Sequence, residues 1–119
     1  MAIKLKRAYE GPESGGGFRI LVDRLWPRGV SKSAARIDLW LKEIAPSAAL
    51  RKWFGLDPSK WTTFRDRYFR ELDQNPKAVE QLMAHVRRGT VTLVYGAKDQ
   101  EHNDAVALKE YLESDRAHS

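Results

Sequence analysis

The sequence has 119 residues, close to the commonest size of a single domain, and it contains no cysteine. The lack of cysteine excludes disulfides, thiolate nucleophiles and cysteine-ligated metals, and it fits a reducing compartment. The formal net charge of +5 suits an anionic partner such as a phosphate, a carboxylate, a nucleotide or a nucleic acid. No apolar run approaches the roughly 18 residues of a membrane span, and no signal peptide is visible. We therefore expect one cytoplasmic domain over residues 1–119, with no membrane partner.

The first third of the chain predicts two strands separated by a glycine-rich connection. Residues 3–9, IKLKRAY, alternate apolar and basic side chains, which is typical of an edge strand. Residues 11–17 contain four glycines and predict a flexible loop. This loop precedes a strand, whereas phosphate-binding loops lie between a strand and a helix, so a mobile connection is favoured. Residues 19–23, RILVD, predict a buried strand, and a basic loop over residues 24–32 follows it.

The rest of the chain predicts helices around one further buried strand. Apolar residues at helical spacing predict one or two helical turns over residues 38–45, ended by Pro46. Residues 90–95, TVTLVY, predict the second buried strand, and residues 115–119 predict a frayed tail. Side-chain caps and proline start signals predict four more helices, which begin after Ser47, Asp57, Asn75 and Asn103.

These elements predict an α/β fold: a small single domain with a short, mostly parallel sheet flanked by helices. Two strands joined by helices lie parallel, so the loops after Asp23 and Tyr95 meet at the same edge of the sheet. Ligands of such folds bind in that crevice. The two loops supply Asp23, Arg24, Trp26, Arg28 and Lys32, and then Lys98, Asp99 and His102 ahead of the helix cap Asn103.

The residue types of this crevice suit an anionic or planar small ligand. Arginines and lysines of both loops can bind phosphate or carboxylate, backbone N–H groups after Asn103 can assist, and Trp26 could stack on a ring. In an enzyme, Asp23, Asp99 and His102 are the candidate proton carriers. Each group also has a purely structural interpretation: an Asp23–Arg24 ion pair, packing of Trp26 on Pro27, solvated turn residues at Lys98 and Asp99, and a helix-start position for His102.

Metal binding and nucleophilic catalysis lack their usual signals. Asp23, Asp99, His102 and Asp104 could meet in space, yet no HxxxH or HxH spacing occurs. A GxSxG turn is also missing. The sequence therefore predicts no metal site, and it identifies no cofactor.

A group of tryptophans lies among basic residues between the two strands. Such a mixture could bind nucleic acid through stacking and phosphate contacts. Trp61 also joins an apolar helical stripe, so core packing is the favoured interpretation, while Arg51 and Arg67 could still turn towards the crevice. The group comprises Trp40, Trp53 and Trp61, with Arg51, Lys52, Lys60 and Arg67 nearby.

Five runs of sequence occur in a fixed order between Lys4 and Leu112: LVDRLWPRGVSK, DLWLKEIAPS, LRKWFG with DPSKW, FRDRYFREL and VTLVYGAKDQEHNDAVALKEYL. Together they resemble the domain-of-unknown-function 488 family, in its short YeaO-like branch. The resemblance implies a small α/β domain without an established activity. It marks Asp23, Arg24, Trp26, Pro27, Arg28, Gly29, Arg51, Trp53, Trp61, Tyr68, Lys98, Asp99 and Asn103.

The chain departs from the pattern of that family at three positions. Members often have histidine after the glycine of the WFG motif, where this chain has Leu56, so a catalytic role is not expected there. The positions of Gly96 and Asp104 are often alanine and asparagine. Only small variation is therefore expected around the second loop.

Three functional hypotheses follow from the sequence. In the first, the crevice loops bind an anionic or nucleotide-like small ligand, either as a binding protein or as a hydrolase or transferase. In the second, the same arginines bind the phosphates of a nucleic acid. In the third, the domain binds another protein and has no small ligand.

Overall fold

A four-stranded, fully parallel sheet forms the centre of the computed structural model, which describes residues 2–118. The strand order is β1–β4–β2–β3, so the last strand of the chain lies between the first two. The strands are β1 (Ile3–Arg7), β2 (Phe18–Leu21), β3 (Leu39–Trp40) and β4 (Val91–Tyr95). The predicted α/β class, the edge position of the first strand and the parallel pairing of the two buried strands are confirmed.

Five α-helices connect and flank the strands. Ser31, Ser47 and Asn103 each accept a hydrogen bond from a first-turn backbone N–H, which fixes where three of the helices begin. Gly55 ends the second helix in the left-handed conformation that glycine adopts without strain. The helices are α1 (Lys32–Ala35), α2 (Ala48–Phe54), α3 (Trp61–Asp73), α4 (Pro76–Arg88) and α5 (Asp104–Leu112).

The two faces of the sheet are covered unequally. Ile20, Val22 and Leu93 lie in the main core, together with the apolar sides of α2, α3, α4 and α5. Leu21 and Val94 point to the opposite face, where Ala8 and the loop residues around Trp26 and Trp40 cover them. The helical layer therefore lies on one side, and mostly loop structure lies on the other.

The helical turns predicted over residues 38–45 are wrong in their first half, where β3 forms instead. The backbone N–H of Asp38 donates to the Arg19 carbonyl at 2.9 Å, and that of Leu41 donates to the Leu21 carbonyl at 3.0 Å. Asp38 also accepts from the Arg19 backbone N–H at 2.8 Å. Pairing with the open edge of β2 thus outweighs the helical spacing of the apolar residues, and only a 3₁₀ turn over Lys42–Ile44 follows.

The glycine-rich loop and the C-terminal segment both make defined contacts. A Cβ added at Gly17, whose φ is +66°, would lie 2.1 Å from the Thr90 carbonyl oxygen, so this close approach requires glycine. The hydroxyl of Thr92 donates to the Gly16 carbonyl at 2.6 Å. Asp115–His118 form a 3₁₀ turn from which Arg116 contacts the carboxylate of Asp73, and Ser119 of the predicted tail lies outside the described residues. No helix within residues 2–118 has the length and apolar character needed to cross a bilayer.

Candidate functional site

A cleft of about 630 Å³ opens at the edge of the sheet where β2 and β4 end, as the parallel pairing requires. Its walls come from the loop after β2, the segment before α2, α2 itself and the start of α5. Apolar and polar residues alternate around it. The lining includes Asp23, Arg24, Trp26, Pro27, Pro46, Arg51, Lys52, Phe54, Phe64, Gly96, Asn103 and Asp104, and the rim residues described below.

Asp23 is held at the floor of the cleft by contacts with the neighbouring strands. The Trp40 indole N–H donates to the Asp23 backbone carbonyl at 2.8 Å, and the Gly96 backbone N–H donates to its Oδ2 at 2.8 Å. A Cβ at Gly96 would lie 3.3 Å from the same Oδ2, so the carboxylate rests closely against this backbone. The aspartate therefore belongs to the framework of the strand ends rather than to a loose loop.

A second carboxyl group, that of Asp104, is hydrogen-bonded to Asp23. Burial raises the pKa of Asp104 well above its usual range, and the negative charge of Asp23 raises it further. Burial also raises the pKa of Asp23, but hydrogen bonds from Asp104 and the Gly96 backbone and the charge of Arg51 oppose that rise. The pKa of Asp104 is raised more strongly than that of Asp23, so Asp104 donates the hydrogen bond of the pair.

Tyr68 lies behind the carboxyl pair in the core. Its hydroxyl donates to the Ile44 carbonyl at 2.6 Å, and burial raises the pKa of the phenol well above its usual value. Tyr68 therefore stays neutral and its proton is already engaged. It supports the floor of the cleft rather than exchanging protons with it.

Cations border the carboxyl pair on two sides. Arg51 extends from α2 towards Asp23, and Lys52 follows it on the same helix. Arg24 donates through Nη2 to the Pro46 carbonyl at 3.3 Å, while its Nε is buried without a hydrogen-bond partner among residues 2–118. The cleft therefore offers both positive charge and a carboxyl pair that can accept hydrogen bonds.

Three exposed apolar side chains form the rim of this cleft, and we call Tyr9, Leu25 and Leu56 the apolar rim. They are the large hydrophobic residues of residues 2–118 that remain exposed, at 49%, 60% and 54%. Leu56 adopts a φ of +57°, which a leucine rarely occupies and which costs conformational energy. Strained backbone and clustered apolar exposure at one opening are typical of a binding site.

Trp26 lines the cleft and is also packed. Its ring meets the Trp40 ring edge-on, with centroids 5.5 Å apart, and its indole N–H donates to the Val30 carbonyl at 2.7 Å. One surface of the Trp26 side chain lines the cleft, where a ligand could stack on it. The rest of the side chain packs against Trp40 and its own loop.

The predicted proton carriers of the second loop, Asp99 and His102, contact each other and do not line the cleft. Asp99 accepts hydrogen bonds from the backbone N–H groups of Glu101 and His102 and contacts His102 Nδ1 at 3.0 Å. These contacts lower the pKa of Asp99. The His102 ring meets Trp61 edge-on at 5.4 Å between centroids. This pair therefore stabilises the turn before α5.

Of the ten predicted site residues, five line the cleft and five do not. Asp23, Arg24, Trp26, Arg51 and Asn103 line the cleft, where Asn103 also caps α5 through a 3.0 Å bond from the Val106 N–H. The other five are not part of its lining: Arg28, Lys32, Lys98, Asp99 and His102. Arg28, Lys32 and Lys98 are exposed.

Sequence reasoning does not select Asp104 or the apolar rim as parts of the site. It marks Asp104 only as one of four possible metal ligands. The position of Asp104 directly after the helix cap Asn103, near the edge of the sheet, is the signal that could have identified it. Within residues 2–118, no group of three or more histidine, aspartate or glutamate side chains is arranged to hold a metal ion. What the carboxyl pair offers a ligand is a set of hydrogen-bond acceptors.

Comparison with known proteins gives the family. The model described as "Inactive DUF488-N3 subclade" matches residues 2–119. The chain belongs to this DUF488 subclade. The uncharacterized protein YeaO of Escherichia coli (strain K12) is 42% identical over 114 residues, covering 96% of this chain and 99% of the relative.

More distant relatives of this DUF488 protein occur in mycobacteria. The uncharacterized protein Mb3100c of Mycobacterium bovis is 34% identical over 110 residues, covering 92% of each chain. A protein of Mycobacterium tuberculosis matches with the same identity and coverage. No solved structure matches the chain. The predicted resemblance to the YeaO-like branch of DUF488 is therefore confirmed.

Proposed function

We propose that this protein binds a small anionic, nucleotide-like molecule in the cleft. The observation that carries the proposal is the hydrogen-bonded Asp23–Asp104 pair at the floor of a 630 Å³ cleft, with Arg51 beside it and the apolar rim around it. The proton of the pair lies between its two members, so the remaining carboxyl oxygens accept hydrogen bonds from a ligand. Sugar hydroxyls and the N–H groups of heterocycles are donors that match them.

The other parts of the ligand fit the other parts of the cleft. Arg51 and Lys52 supply positive charge for a phosphate or carboxylate. The apolar rim and Trp26 offer surfaces for a planar ring. A molecule that combines an anionic group, hydroxyls and a ring would use all three regions. The cytoplasm, where nucleotides and sugar phosphates are abundant, is the compartment we propose.

Binding without turnover is the first form of this proposal. The matched family model is described as inactive, and the rim carries Leu56, a side chain that cannot transfer a proton. A hydrolase or transferase is the second candidate, favoured by one observation. Burial raises the pKa of Asp104 and of its neighbour Asp23, and paired carboxyl groups with shifted pKa values are candidates for general acid–base chemistry.

A thermal-shift series tests the binding proposal. The probes are adenosine monophosphate, adenosine, ribose 5-phosphate and inorganic phosphate, each added to the full chain. A ligand that binds only the folded state stabilises it by about 2.7 kcal/mol at a hundredfold excess over Kd. We expect the monophosphate to raise Tm more than either adenosine or phosphate does.

Two cleft variants and one control identify the site. Arg51→Gln should abolish most of the shift, whereas Arg88→Gln, an exposed cation of α4, should leave it unchanged. Leu56→Gly should raise the Tm of the free protein, because glycine accepts a positive φ, yet reduce the ligand-induced shift. Absence of a shift from every probe, or an equal response of both arginine variants, would refute the proposal.

The catalytic candidate needs a separate measurement. Any probe that binds is incubated with the protein and followed by ³¹P and ¹H NMR for new products. Conversion that disappears in Asp23→Asn, while binding persists, would establish acid–base catalysis. Binding without conversion would leave the protein as a ligand-binding member of its family.

A further inference from the structure

A second cavity, of about 460 Å³, lies on the opposite side of α2 from the cleft. Ala48, Arg51 and Lys52 face the cleft, whereas Ala49 and Trp53 line the second cavity. The remaining lining residues are Ser47, Leu50, Arg67, Arg70 and Glu71. The wall formed by α3 is therefore basic.

Arg67 is fixed over the aromatic face of Trp53. Its guanidinium carbon lies 4.4 Å from the Trp53 ring centroid. Lys60 approaches the same ring at 5.1 Å and donates to the Trp53 backbone carbonyl at 3.0 Å. A guanidinium stacked on a ring loses side-chain freedom but keeps its N–H edges available for hydrogen bonds. The tryptophan thus positions two cations at one place on the surface.

Glu71, the acidic residue in the lining of the second cavity, is already engaged in hydrogen bonds. Both carboxylate oxygens of Glu71 accept hydrogen bonds from Ser47, at 2.8 Å from the backbone N–H and 2.6 Å from the hydroxyl. Within residues 2–118, neither Arg67 nor Arg70 forms an ion pair with an acidic side chain. Two exposed arginines one helical turn apart are consequently available for an external anion.

Two further cations lie on the side of α2 that faces the cleft. Arg51 and Lys52 are exposed on that helix and, in the part of the chain that the structure describes, form no ion pair either. We call the resulting row the cationic row; its members are Arg51, Lys52, Lys60, Arg67 and Arg70. A row of separated positive charges matches an anion with repeating charge better than it matches one phosphate group.

We propose that the cationic row binds the phosphate backbone of a single-stranded nucleic acid, with Trp53 as its aromatic support. Binding of single strands needs a basic surface that follows the backbone, and here the tryptophan ring holds two of the cations instead of stacking on a base. A membrane surface fits less well, because insertion needs exposed apolar side chains beside the cations. The large exposed hydrophobic residues of the described chain form the apolar rim of the cleft instead.

Fluorescence anisotropy with labelled oligothymidylate of about twelve nucleotides tests this proposal at several salt concentrations. The double variant Arg67→Gln/Arg70→Gln removes two charges from the row. Its matched control, Lys77→Gln/Arg88→Gln, removes two exposed charges from α4 and gives the same net charge. We expect affinity to fall at least about tenfold in the first variant and to change less than about twofold in the second.

The salt dependence gives an independent readout. The slope of log K against log salt should become shallower by about 0.7 for each phosphate of the single strand that the variant no longer neutralises. Trp53→Leu should weaken binding with little change in slope, because it removes the support and not a charge. Circular dichroism of each variant verifies that the fold is retained.

Three results would overturn the proposal. The first is no oligonucleotide binding at low salt, and the second is an equal fall in affinity in both double variants. The third is tighter binding of the cationic row to vesicles of anionic phospholipid, or to a phosphopeptide, than to the oligonucleotide. Arg67 and Arg70 lie outside the cleft lining, so the thermal shift with adenosine monophosphate should survive in the double variant. Failure of one proposal therefore does not imply failure of the other.

Discussion

Two pairs of titratable side chains lie near the ends of β2 and β4, and their surroundings give them opposite properties. Asp23 and Asp104 meet at the floor of the cleft, where burial raises the pKa of both. Asp99 and His102 meet in the outer turn, where backbone and side-chain hydrogen bonds lower the pKa of Asp99. The sequence assigns Asp23, Asp99 and His102 to the site, but it does not assign Asp104 to it. Burial, rather than membership of a loop, decides whether the pKa of a carboxyl group is raised or lowered here.

The support beneath the cleft pair should give the largest effect on stability. Tyr68→Phe removes the hydroxyl that donates to the Ile44 carbonyl and leaves this carbonyl buried without that partner. We expect the free energy of unfolding to fall by about 1–3 kcal/mol, measured by urea denaturation. Tyr9→Phe is the control, because its hydroxyl donates to the Arg28 carbonyl at an exposed position. An equal loss of unfolding free energy in the two variants would show that the buried hydrogen bond stabilises the fold no more than the exposed one does.

Neutralising one aspartate of each pair should change stability in opposite directions. Asp104→Asn keeps a donor towards Asp23 and removes the cost of a second carboxyl group at a half-buried position. At mildly alkaline pH it should raise the free energy of unfolding by about 1 kcal/mol, the size of a common stabilising substitution. Asp99→Asn should lower it, because the ionised group is the form that the turn stabilises. Changes of the same sign in both variants would contradict the comparison.

The pH dependence of stability provides a finer test. The folded state of the wild-type protein keeps a proton on Asp104 at pH values where the unfolded state has released it. Unfolding free energy should therefore fall as pH rises from about 4 towards the raised pKa of Asp104. Arg51, Arg24, Lys52, Asp23 and Tyr68 are the charged or titratable groups around this carboxyl.

Asp99 acts with the opposite sign. The pKa of this carboxyl is lowered in the folded state, so its contribution is present above the usual aspartate pKa and disappears in more acidic solution. Chemical denaturation across the acidic to alkaline range measures both contributions. If the unfolding free energy of Asp104→Asn still falls as pH rises, a group other than Asp104 causes that fall.

His102→Ala should give the smallest effect of the series. It removes a partly exposed contact with Asp99 and an edge contact with Trp61. Exposed ion pairs contribute little, so we expect a minor decrease in Tm and no change in the ligand-induced shift. Loss of the ligand-induced shift in His102→Ala would show that the outer turn is part of the binding site.

The sequence is most informative where one local signal dominates. Serine and asparagine caps locate α2 and α5, and alternation of apolar and basic residues locates the edge strand. The parallel arrangement follows from helices between two buried strands, and it predicts that Asp23 and the loop after Tyr95 meet. Those inferences need only short-range patterns and the handedness of connections.

The remaining features depend on contacts between distant residues. β3 forms because β2 has an open edge, which the spacing of Ile37 and Leu41 does not reveal. The selection of Asp104 over Asp99 depends on burial, although the two aspartates lie close together in the same stretch of sequence. The positive φ of Leu56 likewise follows from the geometry after Gly55 and has no sequence signal of its own.

The strand order has a consequence for synthesis on the ribosome. β4 lies between β1 and β2 and pairs with both, yet it is the last strand to be translated. Until its residues emerge, the two earlier strands have no common neighbour, and their apolar side chains lack the partner that buries them. Pairing between residues so far apart in sequence is slow to form. The sheet, and with it the carboxyl pair, therefore assembles only after most of the polypeptide has left the exit tunnel.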